Sequence, residues 1–100
     1  MAKLSPEQIA LNLSKIPGWT LEDGGAITRR IRFSHFGEAL EFVNQIGRFA
    51  EDANHHPDID IRYDQVTLRL FTHDRSGLTG KDFALAQKIN QITSSATKAI

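Results

Sequence analysis

The sequence predicts an α+β fold: a four-stranded antiparallel sheet with three helices on one face, in the order α-β-β-α-β-β-α. Three observations carry that expectation. Apolar residues recur at helical spacing near the start, the middle and the end of the chain. Between these stretches lie two runs in which apolar and polar residues alternate, each interrupted by turn-forming residues. Helices separated by hairpins, and not by single strands, favour an antiparallel sheet whose apolar face the helices cover. At 100 residues the chain is expected to form one domain, residues 1–100, because two independent cores would not fit.

The first helix is marked at its start. In Leu4-Ser5-Pro6-Glu7-Gln8, Ser5 can cap, Pro6 suits the first helical position and Gln8 completes a capping box. Leu4 and Ile9 are placed as a hydrophobic staple, and the helix is expected to stop near Ser14, before Pro17-Gly18. Trp19 to Glu22 reads as a short extended run, Asp23-Gly24-Gly25 as a turn, and Ala26 to Phe33 as the returning strand. Ile27, Ile31 and Phe33 share one face there, with Thr28, Arg30 and Arg32 on the other. Arg29 falls on the apolar face, which predicts that this face is open near the hairpin. Trp19 is expected in the core; stacking on a planar ligand is the rarer use of a lone Trp.

Ser34 is expected to cap the second helix, with Glu38 in its first turn and His35 at the surface. Ala39, Phe42, Ile46, Phe49 and Ala53 recur at helical spacing, widened by Phe36, Leu40 and Val43, over about residues 35 to 52. His55-His56-Pro57 ends that helix, since the residue before proline is pushed out of helical conformation. Ile59, Ile61 and Tyr63 then alternate with Asp58, Asp60, Arg62 and Asp64. Beyond a turn at Asp64-Gln65, Val66, Leu68, Leu70 and Thr72 alternate with Thr67, Arg69, Phe71 and His73. That hairpin would set position 56 or 57 opposite 73 and put His73 on the face away from the core. Thr79 and Asp82 have the spacing of a capping box, and Leu85, Ile89, Ile92, Ala96 and Ala99 give a long last helix with an apolar seam.

Composition excludes several function classes. Twelve basic and twelve acidic residues cancel, so direct nucleic-acid binding is not expected, since such domains usually carry a basic excess; Arg30, Arg32, Arg62 and Arg69 nonetheless suggest a local basic patch on the open face of the sheet. Without cysteine there is no disulfide, thiolate nucleophile or thiolate zinc site, which fits a reducing compartment. No stretch approaches the ~18 apolar residues of a membrane span, and the N-terminus lacks the apolar run of a signal peptide. The protein is therefore expected to be cytoplasmic, with no membrane partner.

The chemistry-bearing stretch is Glu51 to Asp82, which holds His55, His56 and His73, three of the four histidines. Hairpin pairing is expected to bring His73 to the His-His-Pro corner, with Glu51, Asp58 and Asp60 near enough to orient an imidazole. Three readings follow. One imidazole can donate a proton while another accepts one near neutral pH. A zinc or iron site with histidine and carboxylate ligands is the second. Adjacent histidines do not easily aim both rings at one metal, and no His-x-x-x-His or Glu-x-x-His pattern occurs. In the third, His55 only caps a helix end and His73 is simply exposed.

His-His-Pro, then Tyr63, Val-x-Leu-x-Leu-x-Thr-His over residues 66–73, and Gly-Leu-Thr-x-x-Asp-x-x-Leu-Ala over 77–86 resemble the pterin-4a-carbinolamine dehydratases. Pro-Gly-Trp at 17–19 and the Phe-rich stretch at 36–49 extend the resemblance over nearly the whole chain. It implies a lyase that removes water from 4a-hydroxytetrahydropterin, giving quinonoid dihydropterin, in the recycling of tetrahydrobiopterin after aromatic amino-acid hydroxylation. It implies no metal and no cofactor. Carried over by residue, it makes His55, His56 and His73 catalytic: His55 and His73 as proton donors to the hydroxyl, His56 as pterin ligand and base. Glu51, Pro57, Asp58 and Asp82 would serve substrate binding, with helix capping an equal explanation for Asp82. Thr72, Gly77, Leu78 and Thr79 would be scaffold. Ile59 stands where some members carry Trp, and Phe71 where many carry Ser, so pterin affinity could differ. Some members also act as dimerisation cofactors of a homeodomain transcription factor, which makes a protein-binding module the alternative function. A homo-oligomer, dimer or tetramer, built by sheet-edge pairing and helix packing, is expected.

Overall fold

A computed structural model describes residues 2–97, with side chains for residues 2–93. Its helices are α1 (Pro6–Leu13), α2 (Phe36–Ala53) and α3 (Gly80–Thr97); its strands are β1 (Thr20–Leu21), β2 (Ile27–Arg32), β3 (Asp58–Arg62) and β4 (Gln65–Leu70). The strands form one antiparallel sheet in the order β1-β2-β4-β3. The two hairpins thus meet through β2 and β4, from Ile27 opposite Leu70 to Arg32 opposite Gln65. That arrangement follows from burial. Val66, Leu68 and Leu70 are fully buried, so β4 belongs in the interior of the sheet, while the polar β3 is left at an edge.

The core lies on one face of the sheet. Ile27, Ile31, Val66, Leu68 and Leu70 meet Ala39, Phe42 and Ile46 of α2 and Phe83, Leu85, Ala86 and Ile89 of α3. The Val, Leu, Ile and Phe side chains among them contribute about 1.5–3 kcal/mol each when fully buried. α1 buries no residue completely; Leu4, Ile9 and Leu13 only cover the same core, and the Ser5–Gln8 capping box holds the helix start. Trp19 is in the core, as its position in the sequence suggested. The apolar seam of α3 holds through Ile89, with Ile92 partly buried; the side chain of Ala96, and Ala99 altogether, lie outside what is described.

Four expectations are corrected. The second hairpin turns at Tyr63-Asp64, not Asp64-Gln65, because Arg62 pairs with Gln65 across a two-residue loop. Tyr63 takes φ +57°, the left-handed conformation that lets a two-residue loop follow strand twist. Continuing that register sets position 54, and not 56 or 57, level with 73. The cap of α2 is His35, whose Nδ1 accepts from the Glu38 N–H at 3.3 Å; Ser34 instead donates to the Glu38 carboxylate. Arg29 does not mark a face open at the hairpin turn: Asn90 of α3 reaches over part of it and accepts from its Nη1, and the opening it borders lies at the end of α1, beside Lys15, Pro17 and Gly18.

The fourth correction concerns the outer face of the sheet, where Arg30, Arg32, Arg62 and Arg69 suggested a basic patch. Acids neutralise most of it. Arg69 donates to Glu22 at 2.8 Å and to Asp58 at 3.5 Å, Arg62 lies 3.4 Å from Asp60, and Arg32 lies 3.9 Å from Asp64. The Glu22 hydrogen bond holds the Arg69 guanidinium above its ordinary value. Among the described residues, no helix is long and apolar enough to cross a membrane.

Candidate active site

The end of α2 and the end of β4 build the site between them. Asn54 closes α2 in the left-handed conformation at φ +52°, which a short polar side chain tolerates better than most. The His55 N–H bonds Ala50 O at 3.0 Å, and Pro57 forbids another helical turn, so the chain reverses into β3. On the other side, Thr72 and Gly77 pair as an isolated bridge and enclose a 3-10 turn over His73–Arg75. His73 therefore leaves the strand at its end instead of extending it. The N-terminal segment braces this loop: Leu4 N–H donates to Leu78 O at 2.8 Å, and a β-carbon at Gly77 would lie 2.4 Å from Lys3 Cδ.

Behind the loop sits Asp82, which is fully buried. His55 Nε2–H donates to its Oδ1 at 2.6 Å. Its Oδ2 accepts the Thr72 hydroxyl at 2.7 Å and the Thr79 N–H at 2.9 Å. A carboxylate only accepts, so His55 carries its proton on Nε2 and turns Nδ1 into the role of second, exchangeable nitrogen. The Thr72 and Thr79 hydroxyls are 2.9 Å apart, and Thr79 Oγ1 accepts the Lys81 N–H. Among the described residues every buried side-chain polar atom has a partner, so this network is closed. His56 is oriented the same way in a wetter setting: its Nε2–H donates to Glu51 Oε2 at 2.5 Å, and both side chains are exposed. His73 is exposed and rests its ring against the edge of Phe71, centroids 5.2 Å apart.

The three histidines open on one cavity of about 410 Å³, lined with Asn54, Phe71, Thr72, Asp74 and Lys81. Of the candidate residues, His55, His56 and His73 are brought together. Glu51 and Asp82 stand behind His56 and His55, outside the lining. Pro57 forms the corner and is half-buried. Asp58 is not part of the cluster; it points to the outer face of the sheet and pairs with Arg69. The lining also includes Asn54, Asp74 and Lys81, which sequence reasoning did not single out, and Thr72, expected as scaffold, lines the cavity while holding Asp82. A signal for Thr72 existed: it continues the buried Val66-Leu68-Leu70 stripe, and a hydroxyl there needs a buried acceptor. Among the described residues no three His, Asp or Glu side chains are grouped as a metal would require.

A family model described as pterin 4 alpha carbinolamine dehydratase matches residues 2–92. The chain belongs to this family. A Chloroflexus aggregans protein provisionally named pterin-4-alpha-carbinolamine dehydratase is 49% identical over 92 residues, covering 92% of this chain and 98% of that one. A similarly named Thermomicrobium roseum protein is 47% identical over 94% of this chain and 100% of its own length. A Brucella melitensis crystal structure, described as a transcriptional coactivator/pterin dehydratase, superposes with a TM-score of 0.88 at 35% identity, covering 91% of this chain and 98% of that one. A pterin dehydratase-like RuBisCO assembly factor of the alpha-carboxysome shares the fold, with a TM-score of 0.66 at 17% identity over 76% of this chain and 89% of its own. Membership of the pterin-4a-carbinolamine dehydratases gives the histidine cavity a substrate class to be measured against.

Proposed function

We propose that this chain dehydrates 4a-hydroxytetrahydropterin to quinonoid dihydropterin by histidine acid–base catalysis. The observation that supports this reading most is the convergence of His55, His56 and His73 on one cavity, two of them already oriented by carboxylates. Its ~410 Å³ suits a bicyclic ligand, since small-molecule pockets run from about 300 to 1,000 Å³. The reaction needs an acid at the 4a-hydroxyl and a base for the N5 proton. His55, with Asp82 fixing its tautomer, and His73, open to solvent, are suited to donate. His56, backed by Glu51, binds the pterin and takes the N5 proton. Positioned acid–base groups of this kind contribute roughly 10²–10⁴ in rate. Glu51 acts through His56, and Asp82 through His55 while also starting α3; both are positioning residues.

The test supplies 4a-hydroxytetrahydrobiopterin from a running phenylalanine hydroxylase reaction and follows quinonoid dihydropterin. Dehydration faster than the spontaneous rate is expected, and His73→Ala is expected to lower turnover by about 10²-fold. No acceleration by the unmodified chain would refute the reading, and the alternative of a protein-binding cofactor module, which the Brucella melitensis description names beside the dehydratase, would then stand.

The chain is also proposed to assemble with copies of itself. The β3 edge, Asp58-Ile59-Asp60-Ile61-Arg62, is nearly self-complementary: paired antiparallel about Asp60, it sets Asp58 opposite Arg62 and Ile59 opposite Ile61 of a second copy. Ile59 is 37% exposed and Phe36 44%, apolar area that assembly would cover. Light scattering at micromolar concentration should show a dimer or tetramer; a strict monomer overturns this assembly.

A further inference from the structure

Away from the histidines, a cleft of about 680 Å³ lies where β2, α1's exit and α3 meet. Arg29, half-buried on the core-side face of β2, is part of its lining. A charge removed from water is ordinarily matched by an opposite one. Arg29 is not: among the described residues it makes no ion pair, and its one hydrogen bond runs from Nη1 to Asn90 Oδ1. Burial without an acidic neighbour holds its guanidinium below the ordinary value. A guanidinium has five N–H donors, and no buried side-chain nitrogen of the described residues lacks a partner. Nε and Nη2 therefore reach solvent, and Arg29 lines the cleft.

The guanidinium is also held in place. Asn90 Oδ1 accepts the Trp19 Nε1–H at 2.8 Å as well, and Asn90 Nδ2 donates to Pro17 O at 3.1 Å, so the amide is anchored on both sides. Gly18, at φ +93°, passes so close that a β-carbon there would lie 2.8 Å from Arg29 Nε. Around it the cleft presents a second cation, Lys15, and the amides of Gln87 and Gln91, with no Asp or Glu among the described residues of its lining.

We infer that this cleft is an anion site, with Arg29 and Lys15 gripping the phosphate or carboxylate group of a small molecule. A fixed guanidinium plane matches two oxygens of such a group at once, and Lys15 adds a point charge from the rim. The site is separate from the histidine cavity: Asn90 lies roughly 12 Å along α3 from Asp82, at 1.5 Å per residue. It therefore does not depend on the dehydratase reading.

Trp19 is the chain's only tryptophan, and it shares its acceptor with Arg29, so its fluorescence reports directly on the site. The experiment titrates inorganic phosphate, and in a parallel arm acetate, into the full chain at constant ionic strength, with chloride as the balancing anion. A saturable change of Trp19 fluorescence in the roughly millimolar range is expected in at least one arm. The arm with the tighter saturation identifies the phosphoryl or the carboxylate group. Arg29→Gln should abolish the response, and Lys15→Glu, at an exposed position, should weaken it about tenfold, with pterin turnover unchanged in both. Absence of saturation in both arms overturns the inference. So does a saturable response that Lys15→Glu leaves at full affinity, a result that stands even if Arg29→Gln fails to fold.

Discussion

Two helices of this protein begin with the same chemistry and put it to different use. At the start of α2, Ser34 gives both its N–H and its hydroxyl to the Glu38 carboxylate at 2.9 Å, and His35 caps the helix. At the start of α3, the Thr79 N–H and the Thr72 hydroxyl donate to Asp82, and His55 donates to its other oxygen. Each constellation joins an acid at the third helical position, a backbone N–H, a hydroxyl and a histidine. They differ in burial. Ser34 and His35 are exposed, whereas Asp82 and Thr79 are fully buried and Thr72 is 6% exposed. Water can replace any hydrogen bond lost around Glu38, and nothing can replace one lost around Asp82. A helix cap becomes the foundation of a site when its acid is sealed from solvent and its last free oxygen faces an imidazole.

The largest effect is expected from Asp82→Ala. It strands the His55 Nε2–H, the Thr72 hydroxyl and the Thr79 N–H together, and removal of a buried charged partner typically costs about 3–5 kcal/mol. Urea unfolding should show a loss of that order, and turnover should fall because His55 loses its fixed tautomer. A loss below about 1 kcal/mol would mean that water reaches Asp82 and that burial is not what sets α3 apart. Thr72→Val is the finer cut. It keeps the shape and removes one donor, so the expected loss is about 1–3 kcal/mol, with kcat reduced more than KM if Thr72 acts by holding Asp82.

Burial likewise separates what was legible in the sequence from what was not. Local signals were legible: Ser5-Pro6 with Gln8 started α1, His-His-Pro stopped α2, and the alternation around Val66-Leu68-Leu70 placed the central strand. The meeting of three histidines was legible too, since it needs only a hairpin and a proline. The network behind them was not. Asp82 reaches His55 across 27 positions, and its capping spacing with Thr79 is fully explained without any histidine. The hairpin register slipped for a similar reason: Tyr63 in the left-handed conformation carries no Gly or Asn signature, so the turn looked one residue later than it is. Arg29 looked like a break in an apolar face because its cover, Asn90, lies 61 positions away on another helix.

The smallest expected effect is at the exposed member of the pair. The Glu38 carboxyl is held below its ordinary value first by the Ser34 N–H and then by the Ser34 hydroxyl. Ser34→Ala removes only the hydroxyl, so the carboxyl should move part of the way back toward the ordinary value, as read by an NMR titration of Glu38. A folded-state value below the unfolded one contributes stability above the ordinary carboxylate range, and that contribution fades as pH falls through the folded value. The variant should therefore be slightly less stable than the parent at neutral pH, and the difference should vanish in acid. The histidine cavity lies at the other end of α2, so dehydratase turnover should not change. Should Ser34→Ala destabilise the fold as much as Thr72→Val, solvent would not be substituting for the lost hydroxyl, and burial could no longer be what separates the start of α2 from the start of α3.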